Sequence, residues 1–445
     1  MSILTLKSNN PDFSFVIQKR PFIPSEEFNS NEKKPIPMLI KTLKEGLLFG
    51  YFSIKSNDTY VIYFRDGFDE ISFKKFKDEE FEYLNLTRYN SSMFMSLAIK
   101  EYFGHLENNK YEEFEKDIEG YENEMTINMV HVGISKYLLF FKKSFPDYSL
   151  EEVIQSGNNY KLIIKTNKTL HHLINYASLL SLFLVMINDN EYLFVKEDLI
   201  ERYIKIIQTL DAPYYIKYLF KLRLFNERSN LFQKFKSQLE NSKSEKIEFK
   251  FGDTHIQRID YINNILNLKN EIIDIGCGEG RYALKFAPKL NEGKFYHAID
   301  IDEESLNKLK IKAERKGIDN IIYYQSFNSF IDEFDDNEKY DIICSEVIEH
   351  MAIDDVKIFL KDLFFFCKEK IGTTVVITTP NADFNKNYNM EGMRHDDHKW
   401  EYGKSEFQSF MLTEFTKYGS FKYEFIDIGD SVNDESVTQG VIIKF

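Results

Sequence analysis

The stretch EIIDIGCGEG, residues 271–280, decides how the second half of this chain is read. Its first five residues fit a short buried strand, and RYALKFA directly after the last glycine fits the opening of a helix. Between them lie Asp274, Gly276, Gly278 and Gly280. Glycines at a strand-to-helix junction permit a tight turn and let the backbone come close to a ligand. In a nucleotide-binding unit, an acid about twenty residues further on, at the end of the next strand, takes ribose hydroxyls. HAIDID, 297–302, supplies Asp300 for that task, with Asp302 as the fallback.

Outward from this loop, KFYHAIDID, NIIYYQSF, KYDIICSE and TTVVITTP are four more apolar runs separated by helix-like segments. Such alternation predicts an α/β fold with a doubly wound parallel sheet, and residues 252–445 are expected to form it as a catalytic domain. A nicotinamide dinucleotide, or a Rossmann-like fold without catalysis, is the competing reading of the glycines. Two details favour S-adenosylmethionine instead: Asp274 opens the loop, and the following helix lacks the basic or Ser/Thr residue of a phosphate-binding loop. The pattern resembles the D-x-G-x-G-x-G loop of class I methyltransferases.

A second cluster follows the run KYDIIC. In CSEVIEHMAI, 344–353, a strand leading into a helix would put Glu346, Glu349 and His350 within one helical turn. Carboxylates and an imidazole at a strand's carboxyl end can hold a divalent metal, though the same residues also fit an ordinary polar helix start. GMRHDDHKWEY, 392–402, offers further ligand types in His395, Asp396, Asp397 and His398, or else an exposed loop.

The bulk composition narrows the class. With 445 residues, 43% of them hydrophobic, two or three domains with real cores are expected rather than a disordered chain. A net charge of −14 argues against a positively coated protein that grips duplexes nonspecifically, and leaves room for a local site on one nucleotide. Three cysteines without a CxxC pair argue against a disulfide framework or a structural zinc and fit a reducing cytoplasm. MSILTLKSNNPDF has no signal-peptide character, and the apolar run YASLLSLFLVMI, 176–187, is too short to cross a bilayer, so a cytoplasmic protein with no membrane partner is expected.

Residues 1–235 read as a mixed α/β domain. GLLFGYFSI and TYVIYF predict paired strands around the turn KSND, and YKLIIKT a further strand. SSMFMSLAIKEYFG predicts a helix capped by Ser91 or Ser92 and stopped at Gly104. TLHHLINYASLLSLFLVMI predicts a long buried helix whose His171 and His172 carry no chemistry, and KEDLIERYIKIIQTL an amphipathic one. Residues 111–124 read as an acidic connector, and 226–251 as a boundary with little core, the linker proper being 236–251.

EVIEHM and RHDDHKWEY, behind DIGCGEGRY, together resemble the Hen-type small-RNA 2′-O-methyltransferases over about residues 252–420. The signature of that family is E-x-x-E-H followed downstream by a segment like D-H-K-F-E-W. Here KWEY stands for KFEW, and Gln325 for a frequent glycine before Ser326. The resemblance implies methyl transfer from S-adenosylmethionine to the 2′-hydroxyl at an RNA 3′ end, with Mn²⁺ or Mg²⁺ on Glu346, Glu349, His350 and His398. It puts adenosylmethionine contacts on the glycine loop, Asp300 and Ser326, and leaves His395 as a neighbouring proton acceptor. YLNLTRYNSSMFMSLAIKEYFG (83–104), LLSLFLVMINDNEYLFV (179–195) and, more weakly, SFVIQKRP are similar to the amino-terminal region of the bacterial branch. That likeness implies a polynucleotide kinase–phosphatase–ligase partner and a role in RNA repair, in which residues 1–235 bind or activate the ligase. Two other readings stay open: a chain that works mainly as a ligase scaffold, and a metal-independent methyltransferase on another substrate.

Overall fold

The computed structural model describes residues 2–18, 38–43, 46–53, 58–66, 91–108, 115–188, 197–266, 268–333, 338–390 and 392–445. The quoted segments 83–90, 189–195 and 19–21, and most of the turn KSND, lie outside the described residues. The chain divides into two compact units, 1–224 with 237–244 and 225–236 with 245–445.

In the first unit, seven strands form one antiparallel sheet. They are β1 (Ser2–Ser8), β2 (Met38–Leu43), β3 (Gly46–Phe52), β4 (Thr59–Asp66), β5 (Asn123–His131), β6 (Ser149–Ser156) and β7 (Asn159–Thr166), in the order β2-β3-β4-β1-β5-β7-β6. The predicted strand pair is β3 and β4, and β7 is the run YKLIIKT. β5 begins inside the stretch read from sequence as an acidic connector.

The long apolar helix spans Leu170–Ile187, and nearly all of its residues from Leu173 onward are buried. It is the one described helix long and apolar enough to cross a membrane, and 83% of it is buried within the protein. Thr169 caps its start by accepting from His172 N, and Asp117 accepts from Leu170 N and His171 N at 2.7 and 2.8 Å. Four otherwise orphaned amides open every helix, so these contacts fix where this one begins. Helix Ser92–Glu107 runs one turn past Gly104, because the apolar Leu106 is buried and holds the last turn in place. Glu107 then takes a two-pronged bond from Arg202 at 2.7 and 2.8 Å, tying that helix to Glu197–Thr209.

In sequence, helix Ser229–Glu240 follows the first sheet and precedes the second, and its Phe232, Phe235 and Leu239 are buried. The stretch read from sequence as having little core therefore carries a good deal of it. Its apolar residues are sparse, but they recur at helical spacing on one side.

The second unit is built on β8 (Ile247–Glu248), β9 (Glu271–Ile275), β10 (Tyr296–Ile299), β11 (Ile321–Tyr324), β12 (Tyr340–Ser345), β13 (Thr374–Pro380), β14 (Lys422–Val432) and β15 (Glu435–Lys444). Their order is β11-β10-β9-β12-β13-β15-β14-β8. β9 to β13 are parallel and are the five expected runs, while β14 and β15 add an antiparallel hairpin beside β13. Both faces are buried: Ile273, Ile342 and Val375 enter one core, and Ile272, Ile343 and Val376 the other. This two-sided burial explains why the runs are continuous rather than alternating. The chain leaves β9 towards β10 on one side and returns to β12 on the other. The crevice at the carboxyl ends of these strands is the topological switch point where such sheets bind ligands.

Candidate active site

The glycine loop rises from β9 into this crevice. Gly280 has φ +80°, and a Cβ there would come within 2.1 Å of Leu309 Cδ1; at Gly276 it would meet Val347 at 2.4 Å. These two glycines let the loop pack against its neighbours. Gly278 differs: with φ +51° it faces open space, and a Cβ there would meet nothing within 4 Å. A bound molecule can approach the backbone at that position.

Asp300, at the end of β10, accepts from Gly278 N at 2.7 Å. Asp302 does other work, capping helix Glu303–Lys316 by accepting from Glu304 N and Ser305 Oγ. Between them Ile301 is 90% exposed, an apolar side chain at the mouth of the crevice that sequence reasoning passed over. Asp274 is fully buried and accepts from Tyr296 Oη at 2.8 Å. Burial pushes its carboxyl up to about 7, against that hydrogen bond, and the charge of Asp300 adds to the rise. Ser326 follows β11 and accepts from Ser329 N at 3.0 Å, opening helix Phe327–Glu333.

The Glu346–His350 segment is not the helical turn expected from sequence. β12 ends at Ser345, Glu346 takes a left-handed φ of +58°, a single 3₁₀ turn covers Ile348–His350, and the α-helix starts only at Ile353. The reversal at Glu346 turns the chain away from the strand direction without a glycine, a conformation held only by surrounding contacts. Those contacts are Glu346 N to Thr378 O at 2.9 Å, Thr378 Oγ1 to Glu346 Oε1 at 3.0 Å, and an ion pair of Glu346 Oε2 with Arg258 Nη1 at 3.2 Å.

Glu349, His350 and His398 converge, each offering one ligating atom within 4.8 Å of the others. Glu349 is wholly buried; Thr379 Oγ1 donates to its Oε2 at 3.1 Å, while Oε1 has no hydrogen-bond partner. Burial, with the nearby Glu346 charge, raises its carboxyl to about 8. His398 is held at Nδ1 by Glu401, and His350 at Nδ1 by Asp397 at 3.2 Å. Those contacts leave Nε2 of each ring for the cluster, and a carboxylate behind an imidazole fixes its tautomer and orientation. An orphaned carboxylate oxygen beside two oriented imidazoles fits a divalent cation. His395 lies next to the group, its ring centroid 5.1 Å from that of His398. Glu346 stands outside the converging group.

Glu401 organises the loop that brings in His398, accepting also from Arg394 N and Asn385 Nδ2, each at 2.7 Å. Arg394 in turn donates to Asn385 Oδ1 and Asn381 O. Arg258, Glu401, Thr378 and Thr379 all touch the site, and none was singled out from sequence. Glu401 was legible, three residues after His398 in the same motif. Arg258 was not, lying in a helix 88 positions before Glu346 with no motif around it.

The fold and the glycine loop define the second unit as a methyltransferase domain, and residues 267–411 match the methyltransferase domain family. Residues 3–244 match the Hen1 N-terminal domain. That match covers more than half of the sequence, and the chain belongs to the Hen1 family. Curated relatives include the small RNA 2′-O-methyltransferase of Xenopus tropicalis, 38% identical over 94 residues, which are 21% of this chain and 24% of that protein. The mouse protein of the same name, from Mus musculus, is 27% identical over 188 residues, covering 39% and 45%. The chain thus spans from a quarter to under half of the length of these relatives. A chain from a solved structure of the Pnkp1/Rnl/Hen1 RNA repair complex superposes along its full length, with 100% of both chains covered, a TM-score of 0.79 and 23% identity. It shows that the two-unit fold recurs there.

Proposed function

We propose that the chain is a methyltransferase that places a methyl group from S-adenosylmethionine on the 2′-hydroxyl of the 3′-terminal nucleotide of RNA. The convergence of Glu349, His350 and His398 beside the glycine loop carries this reading. S-adenosylmethionine supplies the methyl group, and the open backbone at Gly278 and the Asp300 carboxylate suit its nucleoside. A Mn²⁺ or Mg²⁺ ion on Glu349, His350 and His398, with Glu346 as a fourth ligand, would supply the acidification that a ribose hydroxyl needs and a grip on adjacent 2′ and 3′ oxygens. Two imidazoles in the donor set favour Mn²⁺. His395, next to the cluster, is the candidate to accept the 2′ proton.

The first unit, carrying the Hen1 N-terminal domain, is proposed to engage an RNA end-healing and ligating partner, in line with the complex named above. Methyl transfer from labelled S-adenosylmethionine tests the enzymatic reading. RNA with a free 2′,3′-diol should be labelled only with Mn²⁺ or Mg²⁺ present, and RNA ending in a 2′-deoxy or 3′-phosphate nucleotide should not. Labelling in EDTA would remove the cation and keep the methyltransferase; no labelling of any RNA end would remove the reading itself.

A further inference from the structure

Glu346 and Glu349 stand three residues apart at the same strand end, yet the structure treats them oppositely. Both oxygens of Glu346 are engaged, Oε1 by the Thr378 hydroxyl and Oε2 by the Arg258 guanidinium, while Glu349 keeps one buried oxygen without a partner. The ligating atoms that converge come from Glu349, His350 and His398, and Glu346 is not among them. Arg258 is itself held in place on helix Thr254–Ile265: its side chain is 12% exposed, Nη1 also reaches Thr438 Oγ1 and Nη2 reaches His255 Nδ1, both at 3.4 Å.

We infer that Arg258 is a latch on Glu346: in the resting enzyme the cation site has three ligands, and Glu346 becomes the fourth only on leaving Arg258. This rests on the cation site proposed above. Two physical effects act in the same direction. The guanidinium competes for the carboxylate oxygen that a cation would use, and its permanent charge repels a dication nearby through a low-dielectric medium. Arg258 is thus a positioning residue that weakens cation capture by the empty enzyme. A loosely held cation becomes firmly held only when further oxygen ligands arrive, and the terminal diol of RNA is the natural source of those. The device ties cation capture to the presence of the right RNA end.

The test is a Mn²⁺ titration of the full chain, without RNA or methyl donor, followed by the electron paramagnetic resonance signal of free Mn²⁺. Arg258→Gln should bind Mn²⁺ about tenfold more tightly than the parent, with Arg258→Lys between the two. Glu346→Gln should stay within about threefold of the parent, whereas Glu349→Gln should lose about a hundredfold or more. Unchanged or weaker binding by a folded Arg258→Gln overturns the latch. If that variant does not fold, Glu346→Gln decides, and a loss as deep as that of Glu349→Gln overturns it. Undiminished binding by Glu349→Gln instead overturns the cation site on which the latch depends.

Discussion

Asp274 is the residue whose chemistry sets it apart from every other acid in the glycine loop. It is buried at the end of β9, its oxygen takes the Tyr296 hydroxyl, and burial raises its carboxyl to about 7. The unfolded chain titrates this group in the ordinary carboxylate range, so between about pH 4 and about 7 the folded state holds a proton that the unfolded state has released. The contribution to stability is therefore full below about pH 4 and is lost as pH rises through about 7. Asp274→Asn keeps an acceptor for Tyr296 and removes the ionisation. Its melting temperature relative to the parent should rise from pH 5 to about pH 7 and level off above that, as read by thermal melts at matched ionic strength. A constant gap over that range would mean that Asp274 ionises without cost in the fold. The neighbouring acids show what sequence could and could not assign. Asp300 and Asp302 were both candidates for ribose contact; Asp300 accepts from Gly278 N in the loop, whereas Asp302 is taken up as a helix cap by Glu304 N and Ser305 Oγ.

At the scale of elements, the two ends of the glycine loop and its middle do different jobs. Gly280→Ala would drive a Cβ into Leu309, a core side chain, from a left-handed backbone, and should destabilise the second unit by about 3 kcal/mol. Gly278→Ala meets no protein atom, so its cost should be about 1 kcal/mol from the backbone alone. The same substitution fills the space in which a ligand approaches, so its effect should appear as weakened S-adenosylmethionine binding. Denaturant unfolding and calorimetric titration of both variants separate the two roles, and equal destabilisation of both would refute the division. β9 to β13 were legible because each is buried on both faces and reads as an uninterrupted apolar run. β14 and β15 were not singled out, although the β14 segment KYEFIDIGDSV alternates as a half-exposed strand should, because its charged positions break up any apolar run. The left-handed turn at Glu346 was invisible for another reason: no glycine marks it, and the contacts from Thr378 and Arg258 that stabilise it come from distant parts of the chain. The convergence of His398 with Glu349 and His350 was legible only through the motif resemblance, since about fifty residues separate the segments.

For the molecule as a whole, the division between the units runs through a helix rather than through a linker. In Ser229–Glu240, residues up to 236 belong to the second unit and those from 237 to the first. Phe225, Phe232, Phe235 and Phe249 are each at most 2% exposed, and β8 pairs its Ile247 and Glu248 with Val432 and Ser431 at the sheet edge. Asp430 adds a further tie, accepting from Lys250 N at 2.7 Å and from Gln257 Nε2 at 2.9 Å. A methyltransferase fragment cut at residue 252, where the sequence pattern starts the glycine-loop domain, would discard all four phenylalanines and strip β8 from β14. Large-to-small losses in a core cost about 3–5 kcal/mol per phenylalanine, and each kcal/mol lowers the melting temperature of a domain this size by about 2–4 °C. Even if much of that surface finds other cover, fragment 252–445 should melt about 10 °C or more below fragment 225–445. Fragment 225–445 keeps every residue placed in the site, from Arg258 to Glu401, and should retain methyl transfer to an RNA 3′ end. Calorimetry on the two fragments, with the labelling assay run beside it, checks both halves. Equal melting temperatures would show that residues 225–251 pack on the second unit without stabilising it. Loss of transfer in the longer fragment, with its fold intact, would give the first unit a share in the reaction besides the partner binding proposed for it.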